Sequence, residues 1–400
     1  WGIGRSLPLS RNKTRNALPT IRAKGLRGGV RYYDGQFDDA RLAVNLFQSI
    51  YDQGGIAVNY MEVTALEKDQ NSRIHGVRAL DRESGREHAI EANVVINATG
   101  VFVDRVLKME DPGAKDLVKP SQGTHLVMEP GFLGGSEALM IPKTSDGRVL
   151  FAVPWHNRVV VGTTDVEKRE AVLEPEPGPE EVEYILETAG RFMETPPGKE
   201  DVISVFAGLR PLAAPSGEGK KTKEISRGHK IMVSPGGLVT IFGGKWTTYR
   251  QMGEDVVDRA AREGGLSRQK SRSRGLKIHG YMKQKDTSHP LHWYGSEREE
   301  IENLIVGEPG LGEPLSEKLG ISRAQVVWAV RKEMARTVED FLSRRTRALQ
   351  LDAKESIRMA SEVAKIMASE LGRGAEWEKQ QLEEYQNLAQ SHLLTESHKL

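Results

Sequence analysis

Between Leu117 and Phe242 the chain keeps returning to one pattern: short strand-like runs rich in apolar and β-branched residues, at Thr124 to Met128, Val149 to Val153, Val159 to Val161, Val202 to Ala207, Lys230 to Ser234 and Leu238 to Phe242. Short runs of this kind bounded by turn residues read as strands. Turn residues such as Pro154-Trp155-His156-Asn157 and Pro235-Gly236-Gly237 separate the runs, so an antiparallel sheet is the economical reading. One helix is expected to interrupt it. It starts at Pro179, in a first-turn position after the acidic Pro-rich stretch Glu174 to Pro179, and runs through Val182, Ile185, Leu186 and Phe192.

The flanks are of different kinds. The first 30 residues are basic and irregular. Asp38 then caps a helix carrying Ala40, Ala43, Val44, Phe47 and Ile50 at helical spacing, and Gly54-Gly55 stops it. Ile56 to Leu66, Ile74 to Asp81 and Glu87 to Glu91 form a small meander. It leads to Val94-Val95-Ile96, a β-branched run suited to a strand buried on both faces and ending in Asn97-Ala98-Thr99-Gly100. After the sheet, a helix begins at Thr247 or Thr248 with Met252, Val256, Val257 and Ala260 on one side. A basic connector from Ser267 to Lys285 marks a boundary, and from Ser296 onward the chain is helical, including Val326 to Arg347 and Ala353 to Leu371.

At 400 residues the chain exceeds the size at which one hydrophobic core stops growing, so two or three domains are expected. With glycine counted and tyrosine left out, about 46 % of it is apolar, within the roughly 45–50 % of folded domains, which excludes wholesale disorder. No apolar run reaches the length of a membrane span, and the first residues lack the layout of a signal peptide. The absence of cysteine excludes disulfides, thiolate metal sites and a cysteine nucleophile; redox chemistry then needs a bound cofactor. A net charge of +1 gives no field that would gather nucleic acid, and the ten histidines show no metal-ligand spacing, so no metal is expected.

Local motifs carry the chemistry. Ile241-Phe242-Gly243-Gly244-Lys245-Trp246-Thr247-Thr248-Tyr249-Arg250 passes from strand to helix through two glycines. The unpaired amides of such a helix start can hold a phosphate or an electron-rich ring oxygen, and Lys245 sits at the bend; the bland alternative is a capped surface turn. In Gly208-Leu209-Arg210-Pro211-Leu212 an arginine ends a β-run, where its two-pronged donor set suits phosphate, against the alternative of a structural ion pair. Arg227 gains interest only in company with it. His125, in Gly123-Thr124-His125, stands at a strand entry where an imidazole can take a proton from an alcohol. The basic cluster from Arg331 to Arg347 is interleaved with Glu333, Glu339 and Asp340 and suits a solvated helix face with internal pairs better than a nucleic-acid surface.

These strings, taken in order with Tyr33-Asp34-Gly35-Gln36-Phe37-Asp38-Asp39-Ala40-Arg41, Val161-Gly162-Thr163-Thr164-Asp165 and Glu333-Met334-Ala335-Arg336-Thr337-Val338-Glu339-Asp340, resemble the FAD-dependent glycerol-3-phosphate dehydrogenases over nearly the whole chain. The resemblance implies an α/β (α+β) architecture. A Rossmann-like FAD-binding domain would occupy residues 1–116 and a substrate-binding antiparallel sheet mainly residues 117–242. A flavin-contacting return segment at 243–266 and a C-terminal helical domain at 267–400 would follow. It implies oxidation of sn-glycerol 3-phosphate to dihydroxyacetone phosphate, with hydride passing to FAD and electrons to quinone. A cytoplasmic protein, peripheral on the inner membrane face, and a homodimer would go with that. Val63, Ala98, Thr99, Gly100, Gly244, Lys245, Trp246, Thr247 and Thr248 would contact FAD. Arg210 and Arg227 would clamp phosphate, and His125 would be the base for the C2 hydroxyl with Lys245 as its rival.

The departures carry expectations too. The glycine fingerprint, the ribose-binding glutamate and the Arg-rich flavin segment that open the family have no counterpart before Tyr32, and Gly2-Ile3-Gly4 is no substitute. The chain is therefore expected to start inside a longer one, and a protein that truly began at Trp1 is expected to bind FAD poorly. The family's oxidase branch, which hands electrons to oxygen, and a non-catalytic fragment of the fold are the competing readings.

Overall fold

The computed structural model describes residues 3–142, 144, 147–214, 228–283 and 286–394. Along the chain, β1 (Leu7–Ser10), α1 (Arg11–Ala17) and β2 (Gly28–Arg31) come first, then α2 (Asp39–Asp52) and β3 (Met61–Lys68), β4 (Ile74–Asp81) and β5 (Glu87–Glu91). Next are β6 (Ile96–Asn97), a 3-10 turn at Gly100–Phe102, α3 (Val103–Glu110), β7 (Val118–Met128), β8 (Leu139–Ile141), β9 (Leu150–Trp155), β10 (Arg158–Gly162) and β11 (Val166–Glu167). They are followed by α4 (Pro179–Gly190), β12 (Val202–Ala213), β13 (His229–Val233), β14 (Val239–Gly243) and α5 (Tyr249–Glu263). The last part holds α6 (Arg298–Gly307), β15 (Pro314–Ser316), β16 (Ile321–Ser322), α7 (Arg323–Lys332), α8 (Ala348–Leu351), α9 (Ala353–Leu371) and α10 (Ala375–Gln390).

The central sheet has β7 as its spine. β12 lies antiparallel along its whole length on one side, and β10 and β11 take successive parts of the other side, with β9 and β8 beyond β10. The β9–β10 hairpin turns through His156 and Asn157, both left-handed at φ 47° and 56°, as a two-residue turn between right-twisted strands requires. Pro179 opens α4, which packs Val182, Ile185 and Leu186 against Leu126, Met128 and Val205 of the sheet. The basic opening stretch is not irregular: β1 and β2 pair around α1, and Leu18 and Ile21 complete the same core.

A second, three-stranded sheet departs from the expectation of one antiparallel sheet over 117–242. β13 and β14 do not extend the central sheet; β14 pairs antiparallel with β13 and parallel with β6, with Val239 opposite Ile96 and Thr240 opposite Asn97. Parallel pairing with a strand some 140 residues earlier is invisible to local alternation. Ile96 is exposed, so the Val94 to Ile96 run is not buried on both faces. α5 closes one side of this sheet through Val256 and Ala260 on Val239 and Ile241. The meander β3-β4-β5 stands apart, and its first strand starts only at Met61, leaving Ile56 and Val58 exposed.

The C-terminal helices build their own core around Val326, Phe341, Leu342, Met359, Val363 and Tyr385. Here the expected helix from Val326 to Arg347 is broken. α7 ends at Lys332, Met334 is left-handed, a π-helical turn spans Asp340–Arg345, and Arg347 is again left-handed. The cause is a buried ionic knot in place of a solvated face. Arg41 of α2 pairs with Glu333 and donates to the Arg345 carbonyl at 2.9 Å, while Arg345 donates to the Glu333 carbonyl at 2.6 Å. Burial disfavours the Arg41 charge, but the Glu333 carboxylate outweighs it and holds the guanidinium protonated. The buried side of α2 is accordingly polar, with Arg41, Asn45, Gln48 and Ser49, while Ile50, expected inside, is exposed. No helix among the described residues is long and apolar enough to cross a membrane.

Candidate active site

Register brings the motifs of the central sheet together. His125 lies opposite Phe206, Gly123 opposite Gly208, and Ser121 opposite Arg210. Directly opposed residues share a face, so the imidazole and the guanidinium stand on one side of the β7–β12 ribbon with two glycines between them. The His125 ring stacks on Phe206 with centroids 5.0 Å apart and planes 17° from parallel. The Arg210 guanidinium lies over Gly123, where a Cβ would come within 2.3 Å of Nη2; the position needs glycine for this close approach.

A loop supplies the rest. Past β10, the Thr163 hydroxyl accepts from Arg210 Nη2 at 3.0 Å and the Thr164 carbonyl accepts from Nη1 at 3.1 Å, which fixes the plane of the guanidinium. Thr164 is held in turn. Its hydroxyl accepts from the Thr124 N–H at 2.9 Å and donates to Glu181 of α4, and Glu181 also accepts from Gln122 Nε2 at 2.6 Å. Thr163, Thr164, Gln122, Glu181 and Phe206 are thus positioning residues to which no role falls on sequence alone. The signal that finds Thr163 and Thr164 is their place in the Val161 to Asp165 string; Glu181 and Gln122 carry none beyond being polar residues on buried faces.

Burial, and after it the Arg210 charge, pushes the His125 pKa down to about 4. The imidazole is neutral at neutral pH, with a buried Nδ1 that has no protein partner. The ring is therefore free of a proton and open to receive one, while burial and the neighbouring cation both lower its basicity.

The second group of sequence-derived residues gathers at the ends of the parallel strands. β14 ends in Gly243 and Gly244, both left-handed at φ 71° and 77°, and Lys245 follows at the entry of a 3-10 turn, Trp246–Thr248, that leads into α5. Lys245, Trp246, Thr247 and Thr248 are all exposed. The two glycines also serve packing: a Cβ on Gly244 would meet Met252 Sδ at 2.6 Å, and one on Gly243 would meet Ala213, the last residue of β12, at 3.2 Å. β6 ends beside them. Buried Asn97 donates to the Val103 carbonyl at 2.9 Å and accepts from the Thr99 hydroxyl at 2.7 Å, which shapes the turn through Ala98, Thr99 and Gly100. The 3-10 turn from Gly100 touches β7, β12 and β14. The strand that carries Arg210 therefore ends against both turns.

Val63 stays apart, at a bulge on the edge strand of the meander, and Arg227 lies outside the described residues.

Residues 1–250 match the model of the family described as FAD dependent oxidoreductase, and residues 239–381 match the C-terminal domain of alpha-glycerophosphate oxidase. A mitochondrial glycerol-3-phosphate dehydrogenase of Arabidopsis thaliana is 35 % identical over 92 % of the chain, and the human mitochondrial glycerol-3-phosphate dehydrogenase is 33 % identical over 94 %. The chain spans 63 % and 55 % of their lengths. Among solved structures, the glycerol-3-phosphate dehydrogenase of Bacillus halodurans complexed with FAD is similar with a TM-score of 0.82 and 27 % identity, covering 96 % of this chain and 79 % of that one.

The residues present fit the ring end of that cofactor. Two parallel strands finish side by side in small residues, the place where α/β sheets take their ligands. Both turns are accessible, and a Cβ on Gly100 would meet nothing within 4 Å, so flat backbone is offered to open space. A helix start adjoins them, an element whose first amides suit an electron-rich ring.

Proposed function

The chain belongs to the FAD-dependent oxidoreductase family, on its glycerol-3-phosphate dehydrogenase branch, and from that premise we propose that the protein oxidises sn-glycerol 3-phosphate to dihydroxyacetone phosphate and passes the electrons to a quinone. The observation that carries this reading is the His125–Arg210 face, whose strand runs out against the turns of β6 and β14. A secondary alcohol becomes a ketone by losing a hydride from carbon and a proton from oxygen. FAD supplies the hydride acceptor. His125 receives the hydroxyl proton as neutral imidazole, and Lys245, at the exposed bend, is its rival for that role. Arg210, held by Thr163 and Thr164, orients the phosphate and offsets charge developing on the substrate oxygen. Ala98, Thr99, Gly100 and Gly244 to Thr248 would hold the flavin end, and the Val63 backbone would meet the adenine. Arg227 joins Arg210 on the phosphate. A quinone acceptor places the protein on the surface of a membrane.

The description of the C-terminal family match favours one other acceptor, oxygen. Anaerobic addition of glycerol 3-phosphate to FAD-loaded protein should bleach the flavin band near roughly 450 nm. A short-chain quinone should then restore it faster than air does. Faster recovery in air, with peroxide released, assigns the oxidase reaction, and a flavin that stays oxidised removes this substrate.

A further inference from the structure

Between Glu263 and Asp286 the sequence holds no acidic residue and seven basic ones, from Arg268 to Lys285. The six of these up to Lys283 are all exposed. Arg268 meets the Asp258 carboxylate at 3.7 Å with most of its side chain in solvent, and Lys270, Arg272, Arg274, Lys277 and Lys283 form no ion pair among the described residues. The other basic stretch of the chain behaves oppositely. Arg331, Arg336, Arg344, Arg345 and Arg347 pair with Glu370, Glu83, Glu174, Asp340 and Asp39 in turn. There the charge is consumed internally; in the connector it faces solvent, a local anion-attracting surface on a chain whose net charge is only +1.

The segment is also held in place. It leaves α5 at Leu266, whose N–H donates to the Ala261 carbonyl at 2.8 Å, and folds back along that helix. Arg268 reaches Asp258, and Arg250, in the first turn of α5, donates to Ser273 Oγ at 3.1 Å. The His279 N–H then donates to Ser49 Oγ of α2 at 2.8 Å. The cations are therefore presented from a backbone pinned at several points rather than from a free tail. Leu266, Leu276 and Tyr281 are exposed between them, with the Lys277 ammonium 4.9 Å from the centre of the Tyr281 ring. Arg250 stands two residues beyond Thr248, so the middle of the segment lies beside the turn proposed to hold the flavin.

We propose that segment 266–283 is the surface by which the protein docks on a bilayer rich in anionic lipid. The mixture of cations with single apolar side chains selects this partner. Anionic headgroups meet the lysines and arginines, an attraction that acts within about 8 Å at physiological salt, while leucine and tyrosine enter the boundary beneath the headgroups. Single-stranded nucleic acid uses cations as well, but it gives Leu266 and Leu276 nothing to bury in and asks for a row of stacking aromatics where the segment has one. The proposal deepens the quinone-linked reading and rests on it for the use of the docking: electrons leaving a flavin beside Arg250 and Ser273 are released toward the layer in which a quinone dissolves.

Co-sedimentation of the full chain with vesicles tests the surface. The assay needs neither FAD nor substrate, so its failure is separate from failure of the flavin-bleaching test. Vesicles of phosphatidylcholine mixed equally with phosphatidylglycerol should retain the protein, with a Kd that rises with salt, and pure phosphatidylcholine should not. Each basic residue near such a surface is worth about fivefold in affinity, so Lys270→Gln, Arg272→Gln and Arg274→Gln together should raise Kd on the order of a hundredfold. Leu276→Ser should raise it several-fold at any salt concentration. Circular dichroism checks that each variant is folded; should the triple variant not fold, Lys270→Gln alone decides, at about fivefold. No retention on the anionic vesicles, equal binding to both kinds, a folded triple variant that binds as the parent does, or tighter binding to a uridine oligonucleotide than to the anionic vesicles overturns the proposal.

Discussion

The two halves of the candidate site are built on opposite plans. On the β7–β12 face the side chains are locked before any ligand arrives: Arg210 by Thr163 and Thr164, Thr164 by Thr124 and Glu181, His125 by Phe206. At the ends of β6 and β14 the chain offers glycines, backbone and an exposed lysine, with order inside the turns and accessible surface beyond them. Substrate selection needs fixed donors, because a displaced hydrogen bond loses its worth within an ångström. A large flat cofactor needs clearance and brings its own rigidity. The contrast implies that damage on the first face disturbs geometry, while damage on the second disturbs contact.

The sharpest way to break that contrast is Gly123→Val. Its side chain displaces the guanidinium, so kcat/KM of FAD-loaded enzyme should fall by on the order of a hundredfold or more while the far-ultraviolet circular dichroism stays native; turnover near wild type would show that Arg210 does not act from its present position. Lys245→Ala comes next, with a loss in kcat of at least about tenfold expected from removal of a group beside the reacting atoms. Turnover close to wild type removes Lys245 from the mechanism. Arg210→Lys and Thr163→Val should act mainly on KM, by several-fold, since a point charge replaces a fork in one and the fork loses a support in the other; a change confined to kcat would move Arg210 from binding to chemistry. The smallest effect is on stability. The folded-state pKa of His125 lies below its unfolded value, so the unfolded chain binds the proton first and stability falls as pH drops from about 6.5 toward 4. His125→Phe should flatten part of that decline in urea titrations at pH 7 and pH 5. His392, similarly lowered, retains the remainder.

Much of this was legible in the sequence wherever a local rule decides the outcome. Asp38 before α2 and Pro179 at the start of α4 mark real helix ends, because caps act within four residues, and the helix expected over Ala353 to Leu371 is α9. The strands of the central sheet lie where the apolar runs place them, with β7 buried along almost its whole length. What stayed hidden depends on distant partners. No period-2 pattern tells that His125 will face Phe206 and Ser121 will face Arg210 across some eighty residues, nor that β14 will leave one sheet to lie parallel to β6. The charges of the Arg331 to Arg347 segment look solvated until Arg41 is known to neutralise Glu333, and then the same charges explain why the helix breaks.

That last pairing has a consequence for how the chain is made. Arg41 and Glu333 are 292 residues apart. At the usual pace of about 5–20 residues per second, the ribosome delivers the carboxylate roughly 15 to 60 seconds after the guanidinium. Throughout that interval, while the strands from β3 to β16 are being made, α2 exists without the partner that settles its polar face. The polar face of the helix over 39–52 therefore docks late, only once the segment carrying Glu333 has been made.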